Sequence, residues 1–508
     1  MRQADVLLMV PPGIRSNTPP LGLLYLAAQL ERDEVRVGVV DAGMERLSID
    51  GALDRIRQIG PRLVGLSATT PEIRAVEDFA AVIKQARPET AVVLGGPHPT
   101  LDPEGVLAQP AVDYVVRGEG EFSFSELCRA YMGGRRDGFE IDGLSYKVDG
   151  RQASASSPRG EAAGLSSQGR QVHRPDRPMI ANLDDAPMPA RHLLPMSLYR
   201  NYGRVYKRRP VQVMITSRGC PFRCIFCAHE IFGHRYRFNS ATRMIEEVKR
   251  LMRDYGAREI LFREDNFTAS RERVVEFCDL LHKENLDLTW MALSHVNSMD
   301  ADLARTMVEA GCWHLGMGVE SGSPEIQRIL KKNLNLDRAR EAFDIVQRAG
   351  LRTLAFFMIG NYCDSAETIR QTIDYACRLN TDFAIFTITT PFPKTDLFEW
   401  AVAEGLITNF DPSQLCNNPA IFKQKTPVLR TPTLSAGDLE KWQRRAILRF
   451  YLRPKQLWRI LSHKPLARAL LHIQPKDYSN DGRLLADLRR RAEALERSRT
   501  DAPHASSA

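Results

Sequence analysis

The sequence lacks the features of a membrane-spanning or secreted protein. No apolar run reaches the roughly 18 consecutive residues that a transmembrane helix needs, and no basic start followed by an apolar core opens the chain. The 508 residues are 43% hydrophobic, which is typical of a globular protein with two or three domains. We therefore expect a cytoplasmic protein whose cysteines stay reduced.

Cysteines are few, and most of them are scattered. Of the nine, only Cys220, Cys224 and Cys227 lie close together, and the other six show no disulfide framework. The three clustered cysteines form a C-x-x-x-C-x-x-C run, which lacks the fourth Cys or His that closes a structural zinc site. His229 is the nearest residue that would complete one. The alternative is a four-iron cluster on three cysteines, which leaves one iron free for a substrate or cofactor.

Apolar strands alternate with helices over residues 1–135, as in "ADVLLMVPP" followed by "LGLLYLAAQLERD". This pattern predicts an α/β domain with a parallel, Rossmann-like sheet covered on both faces. Ligands of such sheets bind at the carboxyl ends of the strands. Those ends carry small residues, namely Pro12, Ser67, Thr69, Thr70, Gly95, Gly96, Gly118 and Gly120. They form either ordinary tight turns or a rim that a large flat ligand approaches closely. No G-x-G-x-x-G sequence opens a helix, so a dinucleotide is not favoured.

A segment rich in Ser, Gly, Gln and Arg follows this domain. We assign residues 136–205 to a linker or strap, with a flexible loop over 150–176. Residues 206–405 then contain six strand-helix units, which predict a complete or partial parallel (β/α) barrel. The cysteine run lies in the loop after the first strand of this barrel, where barrel enzymes place their chemistry.

With this context, the cysteine run resembles that of the radical S-adenosylmethionine (radical SAM) family. The resemblance implies that Cys220, Cys224 and Cys227 bind a 4Fe-4S cluster whose open iron binds S-adenosylmethionine. One electron from the cluster then cleaves that cofactor to methionine and a 5′-deoxyadenosyl radical. The catalytic residues beyond the cofactor contacts stay unknown.

The same resemblance assigns S-adenosylmethionine contacts in four loops. Phe226 takes the place of the aromatic residue beside the adenine, and "REDNF" puts Glu264 and Asp265 near the methionyl amino group. "GMGVESGS" makes Glu320 the partner of the ribose hydroxyls, which suit a carboxylate acceptor. "SHVNS" departs from the family, since many relatives have an Arg there for the carboxylate of the cofactor. Ser294 or His295 would have to take over that contact.

The N-terminal domain resembles the cobalamin-binding domains that precede some radical SAM barrels, the class B type. The matching stretches are "TPPLGLLYLAAQL", "GLSATT", "GGPHPT" and "RGEGE". The resemblance implies that the small-residue rim holds cobalamin. The D-x-H-x-x-G motif, whose histidine ligates cobalt from below, is absent, because the second strand is followed by "DAGMER". His98 is the only nearby alternative ligand, and it is equally well explained as a turn residue.

Residues 406–508 predict a helical region with a disordered tail. The stretch 438–473 interleaves aromatic and aliphatic residues with many Arg and Lys. It is interpreted either as a helical cap on the barrel or as a basic amphipathic helix on an anionic membrane. No nucleic-acid-binding module accompanies the basic residues, so nucleic acid is not expected.

These resemblances together imply a cobalamin-dependent radical SAM methyltransferase. It would abstract hydrogen from an unactivated carbon and transfer a methyl group from methylcobalamin. The substrate is expected to be a small molecule or a lipid such as a hopanoid, reached from the cytoplasm or peripherally at the inner membrane. A one-electron donor such as flavodoxin or ferredoxin would be needed. The alternatives are a ring-forming cyclase of the bacteriochlorophyll type and a non-catalytic cobalamin or metal sensor.

Overall fold

The computed structural model describes residues 3–16, 18–148, 170–199, 206–407, 410–412, 415, 427–462 and 481–500. The chain divides into two compact units. The first comprises Met1–Ile180, Ala186–Leu198 and Tyr478–Ala508, and the second comprises Ala181–Asp185 and Tyr199–Asp477. No helix in these described ranges is long and apolar enough to cross a bilayer.

A twisted sheet forms the centre of the first unit. Its strands are β1 (Val6–Val10), β2 (Val37–Asp41), β3 (Leu63–Ser67), β4 (Ala91–Gly95), β5 (Tyr114–Val116), β6 (Leu144–Val148) and β7 (Arg170–His173). They are ordered β2-β1-β3-β4-β5-β6-β7, with β1 to β5 parallel and the last two antiparallel. The strand order reverses between β1 and β3, which is where doubly wound sheets bind ligands. The predicted α/β class is confirmed.

Six helices connect these strands. They are α1 (Leu21–Arg32), α2 (Ile49–Ile59), α3 (Ile73–Ala86), α4 (Pro97–Leu101), α5 (Pro103–Ala108) and α6 (Gly120–Met132). Helix α2 shows why the sequence folds this way. Its apolar residues recur three and four positions apart and are buried, Ser48 accepts a hydrogen bond from the Gly51 N–H, and Gly60 ends the helix in the left-handed conformation.

The sheet continues into the segment that the sequence analysis assigned to a linker. Strand β6 pairs with β5, and β7 pairs with β6, so the end of the expected loop 150–176 is a strand. The physical reason is a small aromatic core in which Phe139 packs edge-on against Tyr114 and Tyr146, at centroid distances of 5.7 and 5.3 Å. Residues 149–169, which make up the rest of that loop, lie outside the described residues.

The C-terminal helix, Gly482–Thr500, belongs to the first unit and not to a separate C-terminal region. It packs on α3, and its Leu488 is fully buried in the core of the first unit. Arg489 pairs with Asp78 at 2.9 Å, and Arg491 pairs with Asp50 at 2.7 Å. The sequence predicted a disordered tail over 497–508, but residues 497–500 form the end of this helix. Residues 501–508 lie outside the described residues.

The second unit contains the predicted strand-helix repeats. Its strands are β8 (Val211–Met214), β9 (Ser217–Arg218), β10 (Arg237–Phe238), β11 (Glu259–Phe262), β12 (Thr289–Ser294), β13 (Cys312–Glu320), β14 (Arg352–Ile359) and β15 (Phe383–Ile388). Its helices are α7 (Ala241–Tyr255), α8 (Arg271–Lys283), α9 (Ala301–Glu309), α10 (Pro324–Ile329), α11 (Leu336–Arg348), α12 (Ala366–Leu379), α13 (Asp396–Ala403), α14 (Ala436–Tyr451) and α15 (Pro454–Ser462).

Six of these strands form one parallel sheet in chain order, from β8 through β11 to β15. Within the described residues β8 and β15 each pair with a single neighbour in this sheet, so the barrel is partial. The short strands β9 and β10 pair with each other and enclose the cysteine loop at the carboxyl end of β8. Helix α14 packs beside α12 against β15, where the Gln443 side chain donates a hydrogen bond to the Phe386 carbonyl.

Candidate functional site

The cysteine loop spans residues 219–236 and is closed at its base by β9 and β10. Gly219 has a φ of +82°, and a Cβ there would lie 2.3 Å from the Arg235 carbonyl oxygen. Only glycine fits this position. The Cys220 N–H donates to the Gly233 carbonyl at 3.4 Å, and the Cys227 N–H donates to the Cys224 carbonyl at 3.1 Å. The backbone therefore fixes where all three cysteines lie.

The three thiols of this loop have different surroundings. Cys224 is buried, Cys220 is half-buried and Cys227 is exposed, and none is in a disulfide. Within the described ranges no three Cys, His, Asp or Glu side chains surround one point as zinc ligands do. His229 packs its ring on His234 instead, with centroids 4.1 Å apart. A 4Fe-4S cluster takes one cysteine at each of three separate irons. The Cys224 and Cys227 side chains are hydrogen-bond neighbours, so both lie where such a cluster could be held.

Glu264 is a structural carboxylate in this arrangement. It is buried at the end of β11, accepts hydrogen bonds from the Thr216 N–H at 2.6 Å and from the Thr216 and Ser217 hydroxyls, and pairs with buried Arg273 at 3.3 Å. Its oxygens are thus used to join the base of the cysteine loop to α8. This differs from the expected contact with the amino group of S-adenosylmethionine.

Asp265, the next residue, has the opposite surroundings. It is exposed and makes no hydrogen bond in the described part of the chain, and it lies close enough to Cys220 and His229 to interact with both electrostatically. Desolvation and the neighbouring Glu264 raise its pKa above the usual value. The contact between Asp265 and S-adenosylmethionine stays a prediction.

Glu320 ends β13 in a left-handed conformation, with a φ of +70°, at a break in register between β13 and β14. Its Oε1 lies 2.6 Å from the Nζ of Lys332, and both side chains are about nine-tenths buried. A Cβ at Gly318 would lie 2.3 Å from Glu320 Oε1 and 2.5 Å from Lys332 Nζ, so glycine makes room for the pair. Lys332 also interacts electrostatically with Cys224 and Cys227.

Ser294 and His295 lie at the carboxyl end of β12. The Ser294 hydroxyl shares a hydrogen bond with that of Thr268, and both residues are buried. The His295 ring stacks on Phe222 of the cysteine loop, at a centroid distance of 3.8 Å, and its Nδ1 accepts from the Asn297 N–H. Burial, followed by the nearby charge of Lys332, lowers the pKa of His295 to about 3. The ring is therefore neutral, with its hydrogen on Nε2.

Phe226, the expected adenine neighbour, is partly buried against a small apolar cluster. The cluster contains Ile225 of the cysteine loop, Ile326 and Leu330 around α10, and Leu397 of α13. The structure thus brings Phe226, Asp265, Ser294 and Glu320 to the same carboxyl edge of the barrel sheet as the cysteines. Their contacts with a cofactor stay predictions.

The small-residue rim of the first unit lies at the carboxyl ends of its parallel strands. Pro12 follows β1, Ser67 ends β3 and Gly95 ends β4. Gly118 lies between β5 and α6, and Gly120 is the first residue of α6. A Cβ at Gly96 would lie 2.5 Å from Ser67 Oγ, so these loops are in close contact. The rim offers backbone rather than long side chains to a flat ligand, and cobalamin contacts there stay a prediction.

Two side chains of this rim have partners of their own. Thr70 is buried and its hydroxyl lies 3.3 Å from the Nδ1 of His98, which is also buried. Burial lowers the pKa of His98, although Asp102 opposes this effect. Thr69 is exposed and donates to the Glu72 carboxylate in the capping box before α3. The bond to Thr70 favours a structural role for His98, which lies in the short helix α4.

Three features of the barrel site were not predicted from the sequence. Lys332 lies in a loop with no motif, Phe222 pairs with His295 across two loops, and Arg273 reaches Glu264 from α8. In the sequence, Arg273 and Lys332 differ from their neighbours in no way that marks them as site residues. Their positive charge was the one property that could have suggested a buried carboxylate partner. Long-range pairs of this kind become visible only when the sheet brings the loops together.

Comparison with known families covers both units. The B12 binding domain model matches residues 13–128, and the radical SAM superfamily model matches residues 214–376. An uncharacterized methyltransferase of Pyrococcus horikoshii is 35% identical over 466 residues, covering 90% of this chain and 94% of that protein. The anaerobic magnesium-protoporphyrin IX monomethyl ester cyclase of Rubrivivax gelatinosus is 27% identical, and the match covers 84% of this chain and 72% of that protein. The hopanoid C-3 methylase of Methylococcus capsulatus is 24% identical, covering 77% and 70%.

Two solved structures share the fold over nearly the whole chain. The methyltransferase TsrM of Kitasatospora setae, with cobalamin and a [4Fe-4S] cluster bound, superposes with a TM-score of 0.68 at 17% identity and covers 98% of this chain and 100% of that one. The enzyme OxsB, with aqua-cobalamin and S-adenosylmethionine bound, superposes with a TM-score of 0.69 at 14% identity, covering 98% and 80%.

Proposed function

We propose, on the premise that this chain belongs to the cobalamin-dependent radical S-adenosylmethionine methyltransferases, that it methylates an unactivated carbon of a small molecule or lipid. Membership confirms the resemblance stated from the motifs. The protein is therefore an enzyme, and its cofactors are a 4Fe-4S cluster, S-adenosylmethionine and cobalamin. The single observation that carries the proposal is the loop of three cysteines at the carboxyl end of a radical SAM barrel.

When bound, the cluster supplies the electron that cleaves S-adenosylmethionine, and cobalamin carries the methyl group. The residues of the chain have supporting roles in this proposal. Cys220, Cys224 and Cys227 hold the cluster, and Glu264 with Arg273 fixes the base of their loop. Glu320, oriented by Lys332, is the acceptor offered to a vicinal diol. The apolar cluster around Phe226 excludes water from the neighbouring surface.

Metal and product analysis tests this proposal. Anaerobically purified protein should contain iron, sulfide and cobalt, and it should form 5′-deoxyadenosine when reduced. Cys220→Ala, Cys224→Ala and Cys227→Ala should each abolish that product, whereas Cys377→Ala, which removes a half-buried thiol from α12, should retain it. Zinc without sulfide would instead support the non-catalytic sensor.

A second candidate function is ring closure, and the identity with the Rubrivivax gelatinosus cyclase favours it. The two reactions differ in their use of S-adenosylmethionine. Methyl transfer consumes two molecules for each product, because one forms 5′-deoxyadenosine and the other remethylates cobalamin and leaves S-adenosylhomocysteine. Ring closure yields 5′-deoxyadenosine without S-adenosylhomocysteine. Quantifying both compounds in one turnover mixture separates the two functions.

The substrate and the electron donor form the finer part of the proposal. Identity with the hopanoid C-3 methylase supports a polycyclic lipid such as a hopanoid, reached peripherally at the inner membrane. The electron donor is proposed to be a small redox protein such as flavodoxin or ferredoxin, because cleavage of S-adenosylmethionine requires one electron. Lipid extracts of cells that express the enzyme should contain a hopanoid heavier by one methylene, and extracts from the Cys227→Ala strain should lack it.

A further inference from the structure

The outward face of α14 and α15 exposes an unusual number of large apolar side chains. Ten are exposed in the described residues, and four of them lie within residues 448–458. These four are Leu448, Leu452, Leu457 and Trp458, with exposed fractions of 56%, 60%, 40% and 70%. We call them the apolar stripe. Single exposed apolar residues are ordinary, but a cluster of this kind marks an interaction surface.

Helix α14 also has a buried face that packs on the core of the unit. Helix α14 buries Leu439, Gln443, Ala446 and Phe450, which recur three and four residues apart. The Gln443 amide and the Tyr451 hydroxyl both bond to the backbone of β15. These contacts fix the orientation of α14, and Leu448 is exposed on its other side, with Leu452 at its C-terminal end. Leu457 and Trp458 are exposed on the next helix, α15.

Positive charge surrounds the apolar stripe. From Lys441 to Arg459 the chain has seven Lys and Arg residues and no Asp or Glu. Lys441, Arg444, Arg445 and Arg449 line a shallow groove of about 460 Å³ together with Leu448 and Leu452. Three of the four groove cations also have acidic partners at the surface: Lys441 pairs with Asp438 at 3.2 Å, Arg444 with Glu440 at 4.0 Å and Arg449 with Asp374 at 2.6 Å. Seven cations against these three acids leave the face with an excess of positive charge.

We propose that this face binds the surface of an anionic phospholipid bilayer. The combination of exposed Leu and Trp with Lys and Arg matches an interfacial helix, whose apolar side chains enter the headgroup region while the cations meet lipid phosphates. An acidic protein partner would satisfy the cations but would also need a pocket for Trp458 and the three leucines. The proposal rests on the proposed function in one respect, since a lipid substrate explains why the enzyme approaches a membrane.

Vesicle flotation with the cofactor-loaded, full-length enzyme tests the proposal. The enzyme should float with vesicles of phosphatidylcholine and phosphatidylglycerol, should stay unbound with phosphatidylcholine alone, and should dissociate as salt is raised. The triple variant Leu448→Ser, Leu452→Ser, Trp458→Ser should lose at least tenfold in partitioning. Val402→Ser, which removes another exposed apolar side chain of the same unit, should bind normally.

Fluorescence quenching locates the contact. Brominated lipids should quench part of the tryptophan emission, and Trp458→Phe should remove that part. The proposal is overturned if the enzyme ignores anionic vesicles, if the triple variant floats like the wild type, or if the stripe instead mediates concentration-dependent dimerisation in light scattering. If the enzyme forms 5′-deoxyadenosine normally but does not bind vesicles, only the proposal of membrane binding is rejected. If it binds vesicles but does not form that product, only the proposed function is rejected.

Discussion

The Nζ of Lys332 lies 2.6 Å from the Oε1 of Glu320, and the pair lies beside the cysteine loop of the barrel. Glu320 adopts a φ of +70°, which is unfavourable for a residue with a Cβ by about 1–2 kcal/mol. The ion pair compensates for this strain and orients the carboxylate. Because both side chains are buried, neither can be removed without leaving the other charge in a poorly solvated position.

We expect Lys332→Met to lower the free energy of unfolding by about 3 kcal/mol, since it leaves the Glu320 carboxylate buried and unpaired. Lys332→Met with Glu320→Leu should recover most of that loss, as measured by thermal melting of the apo protein.

Loss of the positive charge of Lys332 should also lower the reduction potential of the reconstituted cluster, measured by a redox titration followed by electron paramagnetic resonance. Lys332→Arg keeps the charge and should leave that potential nearly unchanged. An unchanged potential in Lys332→Met would contradict an electrostatic role.

Substitution of Glu264 distinguishes a structural role of this carboxylate from a direct contact with S-adenosylmethionine. Glu264→Gln should lower the free energy of unfolding by about 2–4 kcal/mol, because Arg273 keeps its charge and loses its buried partner. The iron content should fall, since Thr216 and Ser217 at the base of the cysteine loop lose an ionised acceptor. Asp265→Asn removes an exposed carboxylate and should melt like the wild type. A raised KM for S-adenosylmethionine with an unchanged melting temperature in Glu264→Gln would instead restore the contact expected from the sequence.

Gly219→Ala should abolish cluster assembly. The new Cβ would meet the Arg235 carbonyl oxygen at 2.3 Å, and neither backbone segment can move without displacing the cysteine loop. Gly256→Ala is the matched control, because Gly256 also has a positive φ, +64°, but has no atom within 4 Å of a new Cβ. That control should cost about 1 kcal/mol and keep its iron. Equal iron contents in the two variants would show that the loop tolerates the clash.

Leu488 tests whether the C-terminal helix is part of the first unit. Leu488→Ala should destabilise that unit by about 2–5 kcal/mol, since the side chain is fully buried against its core. Arg490→Ala on the exposed side of the same helix should have almost no effect, because its pair with Asp487 is at the surface. Protease sensitivity of the first unit would report the difference, and equal sensitivity of the two variants would argue against this packing.

The sequence predicted parallel sheets covered by helices, and the alternation of strands with helices, because burial imposes a regular spacing of apolar residues. The helix Ala241–Tyr255, for example, begins after Ser240 and ends at Gly256, as the residue types indicate. The cysteine loop was also predictable, since its chemistry depends on local spacing. Lys332, Arg273 and the stacking of Phe222 on His295 were not, because each joins loops that are distant in sequence. Strand β7 was missed because its sequence, RQVH, contains one apolar residue. Strand β6 does alternate apolar and polar residues, and it was missed because it lies next to a segment rich in Ser, Gly, Gln and Arg.

The return of the C-terminal helix to the first unit also affects the order in which the protein forms during translation. Arg489 reaches Asp78 across 411 residues, a length that a ribosome adds in about 20 to 80 s. During that interval the surface of α3 that later receives Leu488 is open to solvent, while the whole barrel is synthesised. A nascent chain interrupted before residue 482 would carry an incomplete cofactor domain with an exposed apolar surface, which chaperones and proteases recognise. Completion of the first unit therefore depends on completion of the chain.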